Sequence, residues 1–447
     1  MTGCAVLRLT GADAYKVTAM HTSTNTLAKC QALDLQDPLR SLRELFQLPE
    51  GVIYLDGNSL GVLPKATPTR VAAAVTKEWG QDLIKSWNSA GWFQMPLLVG
   101  DKIARLIGAE EGEVVAADST SINLFKVLSA ALSIAQADDP EKKTILSERT
   151  NFPTDLYIAE ALCKERGLTL KLVETEDLQS ALQHDVAVLM LTHVNYRTGA
   201  MFNMKTMTAS AHNVGALMVW DLAHSAGAVP VDLKGSLVDF AVGCGYKYLN
   251  GGPGAPAFVW VNPKHTNRYW QPLNGWWGHA APFEFTPEYK PATGITRYQC
   301  GTQPILSLTA LDSALDTFLE AEKLGGMQAL RKKSLVLSDL FMHLVQTQLA
   351  EHGFGIATPI DEDFRGSQVS LTRSKGAYAI VQAMIARGVM GDFRTGDGKN
   401  QPDILRFGLT PLYTRFVDVW HAIRHLKEVM DSGEWQQPQF SQKNVVT

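Results

Sequence analysis

The chain has 447 residues, of which 45% are hydrophobic and 19% are charged, and this composition is typical of a compact globular protein. Its 41 Lys and Arg residues nearly balance its 45 Asp and Glu residues, so the formal net charge is −4. This balance argues against a strongly basic nucleic-acid-binding protein and against a highly acidic disordered one.

Five cysteines are spread along the chain without a C-x-x-C pair. This spacing is not that of a disulfide framework or a zinc site, so we predict a reducing, cytoplasmic location and no metal site. No stretch approaches the roughly 18 apolar residues of a membrane span, and the N-terminus lacks the apolar core of a signal peptide. Residues 1–30 show no clear periodicity, and we expect them to form a disordered N-terminal extension.

Short apolar runs of strand length alternate with helical patterns in the first two thirds of the chain. The runs are 113–117, 144–146, 186–191, 216–220, 239–242 and 255–261. Helical spacing follows the first two runs, at 121–134 and 154–166. Repeated units of this kind predict a buried, mostly parallel sheet in a three-layer α/β domain.

The pattern changes after about residue 320. A long helix is predicted over 326–349, followed by strand candidates separated by Gly and Asp turns, and by apolar stripes at helical spacing over 378–385 and 416–430. We therefore predict an N-terminal arm and a large domain over 31–320, and a smaller α+β domain over 321–447.

Two strand ends carry residues that point to chemistry. Asp221 directly follows the run 216–220, at the carboxyl end of a predicted strand, where open α/β sheets bind ligands. An Asp at such a position also commonly caps the next turn. The run 239–242 leads to Lys247, and a lysine that closes an apolar run among small residues is hard to explain by solvation alone. The pair suits pyridoxal phosphate, because lysine forms the Schiff base and a carboxylate keeps the ring nitrogen protonated.

Two further segments suit the same cofactor. Residues 118–121 lie between a predicted strand and a predicted helix, where N–H groups and hydroxyls converge on a phosphate. Ser and Thr are also ordinary N-caps, so this segment alone is weak evidence. Phe152, after the next strand, offers an aromatic face to the ring, although on its own it would be read as a core residue.

Several segments together resemble the kynureninase family. They are D-x-A-H at 221–224, Tyr-Lys-Tyr-Leu-Asn-Gly-Gly at 246–252, Tyr-Leu-Asp-Gly-Asn-Ser-Leu-Gly at 54–61 and Asn-Gly-Trp-Trp-Gly-His at 274–279. The resemblance runs from about residue 54 to about residue 420. D-x-A-H with a later lysine is shared by many fold-type-I pyridoxal phosphate enzymes, whereas the combination with the other segments is more specific.

The resemblance implies roles for the matching residues. Lys247 is expected to form the Schiff base, Asp221 to pair with the ring nitrogen, and Tyr246 to donate a proton. The expected cofactor contacts are Thr120, Ser121, Phe152, Asp155, Thr192, Asp221, His224, Tyr246, Lys247, Trp276 and Thr302. Trp276 and Thr302 are expected to come from the partner subunit, which implies a homodimer with shared active sites.

The family's reaction is hydrolytic Cβ–Cγ cleavage of L-kynurenine to anthranilate and L-alanine, in tryptophan catabolism. The resemblance implies that Arg406, in an apolar strand-like run, binds the substrate α-carboxylate as a bidentate donor. It also implies that Trp92 and Thr302 contact the aromatic ring of the substrate. The bulky indole of Trp92 suits an unhydroxylated ring, so we predict a preference for kynurenine over 3-hydroxykynurenine.

Two alternatives remain open. Residues 57–61 fit G-x-S-x-G, with Ser59 as the nucleophile of a serine hydrolase, although Gly61 and Pro64 interrupt the helix that should follow. The nearer alternative is a cysteine desulfurase or an aminotransferase on the same cofactor. Cys300 is the only cysteine close to the expected active-site loop, so a desulfurase would have to use it.

Overall fold

The computed structural model describes residues 26–399 and 401–443, so the predicted N-terminal extension lies almost entirely outside the described residues. The chain divides into two compact units. The central unit consists of Gly57–Leu319 and Pro359–Gly366. The terminal unit consists of the described residues up to Asp56, of Glu320–Thr358 and of the described residues from Ser367 onward.

The helices and strands account for most of both units. The helices are α1 (Leu27–Gln36), α2 (Thr67–Ala73), α3 (Ser86–Ser89), α4 (Met95–Ile107), α5 (Thr120–Asp138), α6 (Pro153–Arg166), α7 (Leu178–Ala181), α8 (Met204–Asn213), α9 (Pro263–Thr266), α10 (Ile305–Glu322), α11 (Gly326–Gln348), α12 (Ala377–Ala386) and α13 (Phe416–Ser432). The strands are β1 (Ile53–Tyr54), β2 (Val114–Ala116), β3 (Thr144–Glu148), β4 (Thr169–Val173), β5 (Val186–Thr192), β6 (Leu217–Asp221), β7 (Phe240–Gly243), β8 (Phe258–Val261), β9 (Gly355–Ile356), β10 (Gln368–Thr372), β11 (Val389–Met390), β12 (Asp392–Arg394) and β13 (Ile404–Gly408).

The central unit is built on a seven-stranded sheet in the order β2-β8-β7-β6-β5-β3-β4. Strands β3 to β7 pair in parallel, and only β8 runs antiparallel to its neighbours β7 and β2. Helices α5 and α6 cover the sheet with buried side chains such as Leu124, Val127 and Leu162. The predicted α/β fold with a mostly parallel sheet is confirmed.

All six apolar runs predicted as strands belong to this sheet, but the sequence reading missed β4. This strand lies at the edge of the sheet, and Thr169–Val173 alternates between exposed and half-buried positions. An edge strand with Lys171 at its centre has no continuous apolar run, so the signal that revealed its neighbours is missing.

The sheet's topology places several loops at one edge. Strands β3, β5, β6 and β7 are parallel, and β2 shares their direction because it is antiparallel to β8. Their carboxyl ends therefore lie along the same edge of the sheet, where open α/β folds bind their ligands.

The terminal unit contains a four-stranded antiparallel sheet in the order β12-β13-β10-β9 and a parallel pair formed by β1 and β11. Helices α11, α12 and α13 contribute Phe341, Ile380 and Leu426 to its hydrophobic core. The predicted α+β character of the C-terminal region is confirmed.

The N-terminal part of the terminal unit differs from the predicted grouping. Residues 31–56 were grouped with the large domain, but β1 pairs with β11, and Leu55 is buried in the core of the terminal unit. The short arm packs there because its apolar side chains complete that core. Among the described residues, no helix is both long enough and apolar enough to cross a membrane.

Candidate active site

A pocket opens at the carboxyl edge of the central sheet. It is lined by Ser119, Thr120, Ser121, Phe152, Thr154, Asp155, Thr192, Tyr196, Asp221, Ala223, His224, Tyr246 and Lys247. These residues follow five different strands, so the sheet rather than one contiguous motif assembles the pocket. It brings together every predicted cofactor contact except Trp276 and Thr302.

Lys247 enters the pocket from the loop after β7. Its Nζ lies 3.0 Å from His224 Nε2. The same ammonium lies 5.8 Å from the centroid of the Phe152 ring and 5.7 Å from that of the Tyr246 ring. The amine is therefore held between two aromatic faces beside a histidine, where it can react with a bound group and exchange protons.

The loop that carries Lys247 rests on Gly61. The Gly61 N–H donates a hydrogen bond to the Tyr246 carbonyl at 2.8 Å, and a Cβ at this position would lie 2.4 Å from the Lys247 carbonyl oxygen. Only glycine allows this approach of two backbones. The second glycine of the G-x-S-x-G pattern thus supports the lysine loop.

The serine hydrolase alternative finds no support in the structure. A nucleophile elbow requires a helix directly after the serine, but Ser59 lies in a turn, and the next helix, α2, begins only at Thr67. Ser59 does not line the pocket.

Two buried carboxyl groups, Asp155 and Asp221, line the pocket. Burial raises the pKa of Asp155 well above its usual range, and the neighbouring Asp221 carboxylate raises it further. Burial also raises the pKa of Asp221, although Lys247 opposes this effect. Asp155 Oδ2 is buried and accepts no hydrogen bond within the described ranges. The pair is suited to a cationic N–H group such as the protonated ring nitrogen of pyridoxal phosphate.

Another part of the pocket lining suits an anion. Helix α5 begins there, with Ser119 as its N-cap, and Thr120 and Ser121 form its first turn. The first N–H groups of a helix have no partners within it, and they carry the positive end of its dipole. Together with the three hydroxyls they fit the phosphate of the cofactor.

Aromatic rings also line the pocket. Phe152 precedes α6 and is 37% exposed, and Tyr196 contacts its edge with a centroid distance of 5.2 Å. The sequence reading missed Tyr196. The available signal was its position a few residues beyond the carboxyl end of β5, at the edge of the sheet that binds ligands.

Tyr246 is suited to donating a proton. Burial raises the pKa of its phenol far above the ordinary value, and the nearby Cys244 and Asp221 add to this effect. The hydroxyl therefore keeps its proton at neutral pH.

Trp276 and Thr302 do not line the pocket of their own chain. Trp276 is 39% exposed and borders a separate hollow with Phe285 and Tyr289, and Thr302 is exposed. Their predicted contact with a cofactor, across a subunit boundary, stays a prediction. Cys300 also lies outside the pocket, and burial raises its thiol pKa, so it lacks the character of a reactive cysteine.

Trp92 is buried in an aromatic cluster near the start of α4. Its indole Nε1 donates a hydrogen bond to Glu78 Oε2 at 2.9 Å, and its ring contacts the edge of Trp87. Trp92 does not line the pocket, so its role with the substrate ring stays a prediction.

Arg406 lies on β13 of the terminal unit and is only 1% exposed. Its Nε donates to Asp392 Oδ1 at 2.8 Å, and its Nη2 donates to Asp392 Oδ2. This forked pair fixes the plane of the guanidinium, which a planar carboxylate recognition site requires. The predicted contact with the substrate carboxylate is untested.

Comparisons with known proteins decide the family. The aminotransferase class-V family model matches residues 99–356, and the kynureninase C-terminal domain model matches residues 330–426. A kynureninase from Pseudomonas fluorescens is 53% identical over 421 residues, which cover 94% of this chain and 99% of that one. A kynureninase from Burkholderia pseudomallei is 52% identical over 425 residues, which cover 94% of this chain and all of that one. The chain belongs to the kynureninase family.

Solved structures similar to this kynureninase-family chain agree with the fold. A cysteine desulfurase from Thermococcus onnurineus NA1 has a TM-score of 0.72 at 18% identity and covers 88% of this chain and 98% of its own. A cysteine desulfurase from Escherichia coli has a TM-score of 0.71 at 16% identity with the same coverage. At such low identity the likeness shows the fold alone. Kynureninases and class-V aminotransferases depend on pyridoxal phosphate, and the pocket fits that cofactor.

Proposed function

We propose that this chain hydrolyses the Cβ–Cγ bond of L-kynurenine and releases anthranilate and L-alanine. One observation carries the proposal: Lys247, Asp221 and His224 converge in one pocket of a chain that is 53% identical to a kynureninase over 94% of its length.

The protein's first task is to hold the cofactor. When bound, pyridoxal phosphate supplies an electron sink that makes the substrate Cα proton acidic and the Cβ–Cγ bond cleavable. Asp221 is suited to hold its ring N–H, Phe152 to cover one face of the ring, and the start of α5 to bind its phosphate. Lys247 is the amine suited to bind it covalently.

Proton transfer is the second task. Lys247 is placed to remove the substrate Cα proton, because its Nζ is confined between Phe152, Tyr246 and His224. Once Lys247 has taken up this proton, its ammonium can donate a hydrogen bond to His224 Nε2, which lies 3.0 Å from Nζ. Hydrolysis adds the OH of water to Cγ, which leaves as the carboxyl group of anthranilate, and a proton to Cβ, which stays with alanine. Tyr246 keeps its proton at neutral pH and is our candidate donor to Cβ.

Substrate recognition is assigned to three further residues. Arg406 is proposed to bind the α-carboxylate, and Trp92 and Thr302 to contact the aromatic ring. The apolar indole of Trp92 leaves a ring hydroxyl without a suitable partner, so kcat/KM should be higher for kynurenine than for 3-hydroxykynurenine. Equal or inverted values of kcat/KM for the two substrates would contradict this assignment.

We also propose that the protein acts in the cytoplasm as a homodimer with shared active sites. If Trp276 and Thr302 serve the partner's pocket, mixing inactive Lys247→Ala and Trp276→Ala subunits should restore part of the activity. A mixture as inactive as its components would contradict shared sites.

The direct test is incubation of the purified holoenzyme with L-kynurenine while the fluorescence of anthranilate is followed. Borohydride reduction and peptide mass mapping should then locate the cofactor on Lys247, with Lys247→Ala as the unlabelled control. A protein that takes up no pyridoxal phosphate, or that releases no anthranilate, would overturn the proposal.

A further inference from the structure

Lys126 is a fully buried lysine that has no part in the mechanism above. It lies in the second turn of α5, its side chain is 0% exposed, and it does not line the pocket. A buried ammonium is costly unless oxygen atoms surround it, so its position calls for an explanation.

Its Nζ is held by oxygen atoms from two separate parts of the central unit. It donates to Asp118 Oδ2 at 2.5 Å and to the Tyr298 carbonyl at 2.6 Å, and Asn123 Oδ1 lies 3.5 Å away. Asp118 directly precedes the Ser119–Ser121 turn at the phosphate end of the pocket. Tyr298 is followed closely by Thr302, one of the two residues expected to reach a partner's cofactor.

Asp118 has a left-handed backbone conformation, and two contacts hold it in place. Its φ is +48°, in the left-handed region that non-glycine residues rarely adopt. Its carbonyl accepts a hydrogen bond from Ala257 N at 2.9 Å, and its side chain is tied to Lys126. This turn sets the direction in which α5 begins, and hence where its first N–H groups point.

The second segment that Lys126 contacts, residues 298–302, packs against the segment that carries Trp276. The Cys300 carbonyl accepts a hydrogen bond from Trp277 N at 3.1 Å, and a Cβ on Gly275 would lie 2.2 Å from that carbonyl oxygen. Residues 275–277 therefore pack directly against residues 298–302, which Lys126 contacts through the Tyr298 carbonyl.

We propose that Lys126 is a positioning residue for phosphate binding: its buried ammonium fixes the Asp118–Ser121 turn and joins it to the 298–302 segment. Cofactor affinity then depends on a cation that does not line the pocket. The inference rests on the proposed cofactor site, and it concerns the phosphate end of that site alone.

The test compares two ligands that differ only in the phosphate. Pyridoxal phosphate and pyridoxal are each titrated into the apoprotein, with quenching of tryptophan fluorescence as the readout. Lys126→Met keeps the length of the side chain and removes the charge. We expect its affinity for pyridoxal phosphate to fall roughly ten- to hundredfold, and its affinity for pyridoxal to stay within about twofold.

Lys333→Met is the matched control. Lys333 is a similarly buried lysine in the terminal unit, and its Nζ lies 2.8 Å from Asp37 Oδ2. The substitution Lys333→Met should lower the thermal unfolding midpoint without changing the affinity for either ligand. If Lys126→Met does not fold, Asp118→Asn replaces it, because Asn also tolerates a positive φ. This variant should lose about three- to tenfold in affinity for pyridoxal phosphate alone.

The outcomes separate the two proposals. Equal losses for both ligands, or unchanged affinity for pyridoxal phosphate, would show that Lys126 only stabilises the fold and would overturn the inference. A wild-type protein that binds pyridoxal phosphate but yields no anthranilate would contradict the proposed reaction and leave the Lys126 result valid.

Discussion

Lys247 Nζ and His224 Nε2 lie 3.0 Å apart at the carboxyl edge of the central sheet. The two residues come from loops after adjacent parallel strands, β7 and β6. A lysine ammonium can only donate, so in the state in which Lys247 donates to His224 Nε2 the proton of a neutral His224 ring lies on Nδ1.

This relationship predicts the effect of His224→Phe. The substitution keeps a flat ring but removes the acceptor, so Lys247 loses the group that holds its ammonium in place. We expect kcat to fall roughly ten- to hundredfold with a smaller change in KM. The control is His193→Phe, since His193 Nδ1 bonds Ser225 Oγ instead. Equal losses in the two variants would contradict a specific role for His224.

The two buried carboxyl groups should respond differently to amide substitution. The pKa of Asp155 is raised well above its usual range by burial and by Asp221, and both effects favour its neutral form. Asp155→Asn preserves that neutral charge and should bind pyridoxal phosphate with nearly native affinity. Asp221→Asn removes the negative charge that pairs with the protonated ring nitrogen, and it should lower kcat roughly hundredfold or more. Steady-state kinetics and cofactor titration measure both effects, and a reversed order would refute the assignment.

The carboxylate-binding role of Arg406 has its own test. Arg406→Lys keeps the charge but loses the planar fork, so KM for kynurenine should rise roughly tenfold or more while the cofactor's visible absorbance is unchanged. Arg394→Lys is the control, because Arg394 contacts the same Asp392 at 2.7 Å but is partly exposed. An unchanged KM in Arg406→Lys would remove this residue from substrate binding.

Asp239, just before β7, should contribute stability that depends on pH. Burial alone would raise the pKa of its carboxyl group, but hydrogen bonds from His212, His265 and Lys264 lower it below the ordinary value of 3.8. A depressed pKa in the folded state stabilises the protein above the unfolded-state value, and this stabilisation is lost as the pH falls below it.

The matching experiment is urea unfolding of Asp239→Asn and of the wild type. At neutral pH the variant should be less stable by about 3 kcal/mol, because His212, His265 and Lys264 lose the buried carboxylate that they contact. The difference should shrink as the pH falls below about 4, because the Asp239 carboxyl of the unfolded chain takes up a proton there while the folded one, with its lower pKa, does not. A difference that stays constant with pH would show that the carboxylate's charge is not the cause.

Much of the central fold was readable from the sequence because strands buried on both faces leave continuous apolar runs. Val186–Thr192 is buried at every position, and the predicted run 186–191 falls within it. The grouping of residues 31–56 was not readable, since a pairing such as Ile53 with Val389 depends on residues far apart in the chain. No local pattern reports such a contact.

The site was partly readable for the same reasons. Asp221 and Lys247 follow buried strands, and motif similarity added residues such as Asp155 and His224. The role of Lys126 could not be predicted, because a lysine in a helix is ordinarily solvent-exposed and no local sequence pattern indicates that its ammonium is buried. Tyr196 lies in a loop, where no periodicity marks which side chains face the pocket.

The contact between Gly61 and the lysine loop limits how far the protein can be shortened. A fragment that covers only residues 99–356, the part matched by the class-V family model, would retain all seven strands of the large sheet. It would nevertheless lack the glycine that lies beneath the Tyr246 and Lys247 backbone. A minimal catalytic core must therefore begin before residue 61, even though none of the pocket-lining side chains comes from that stretch.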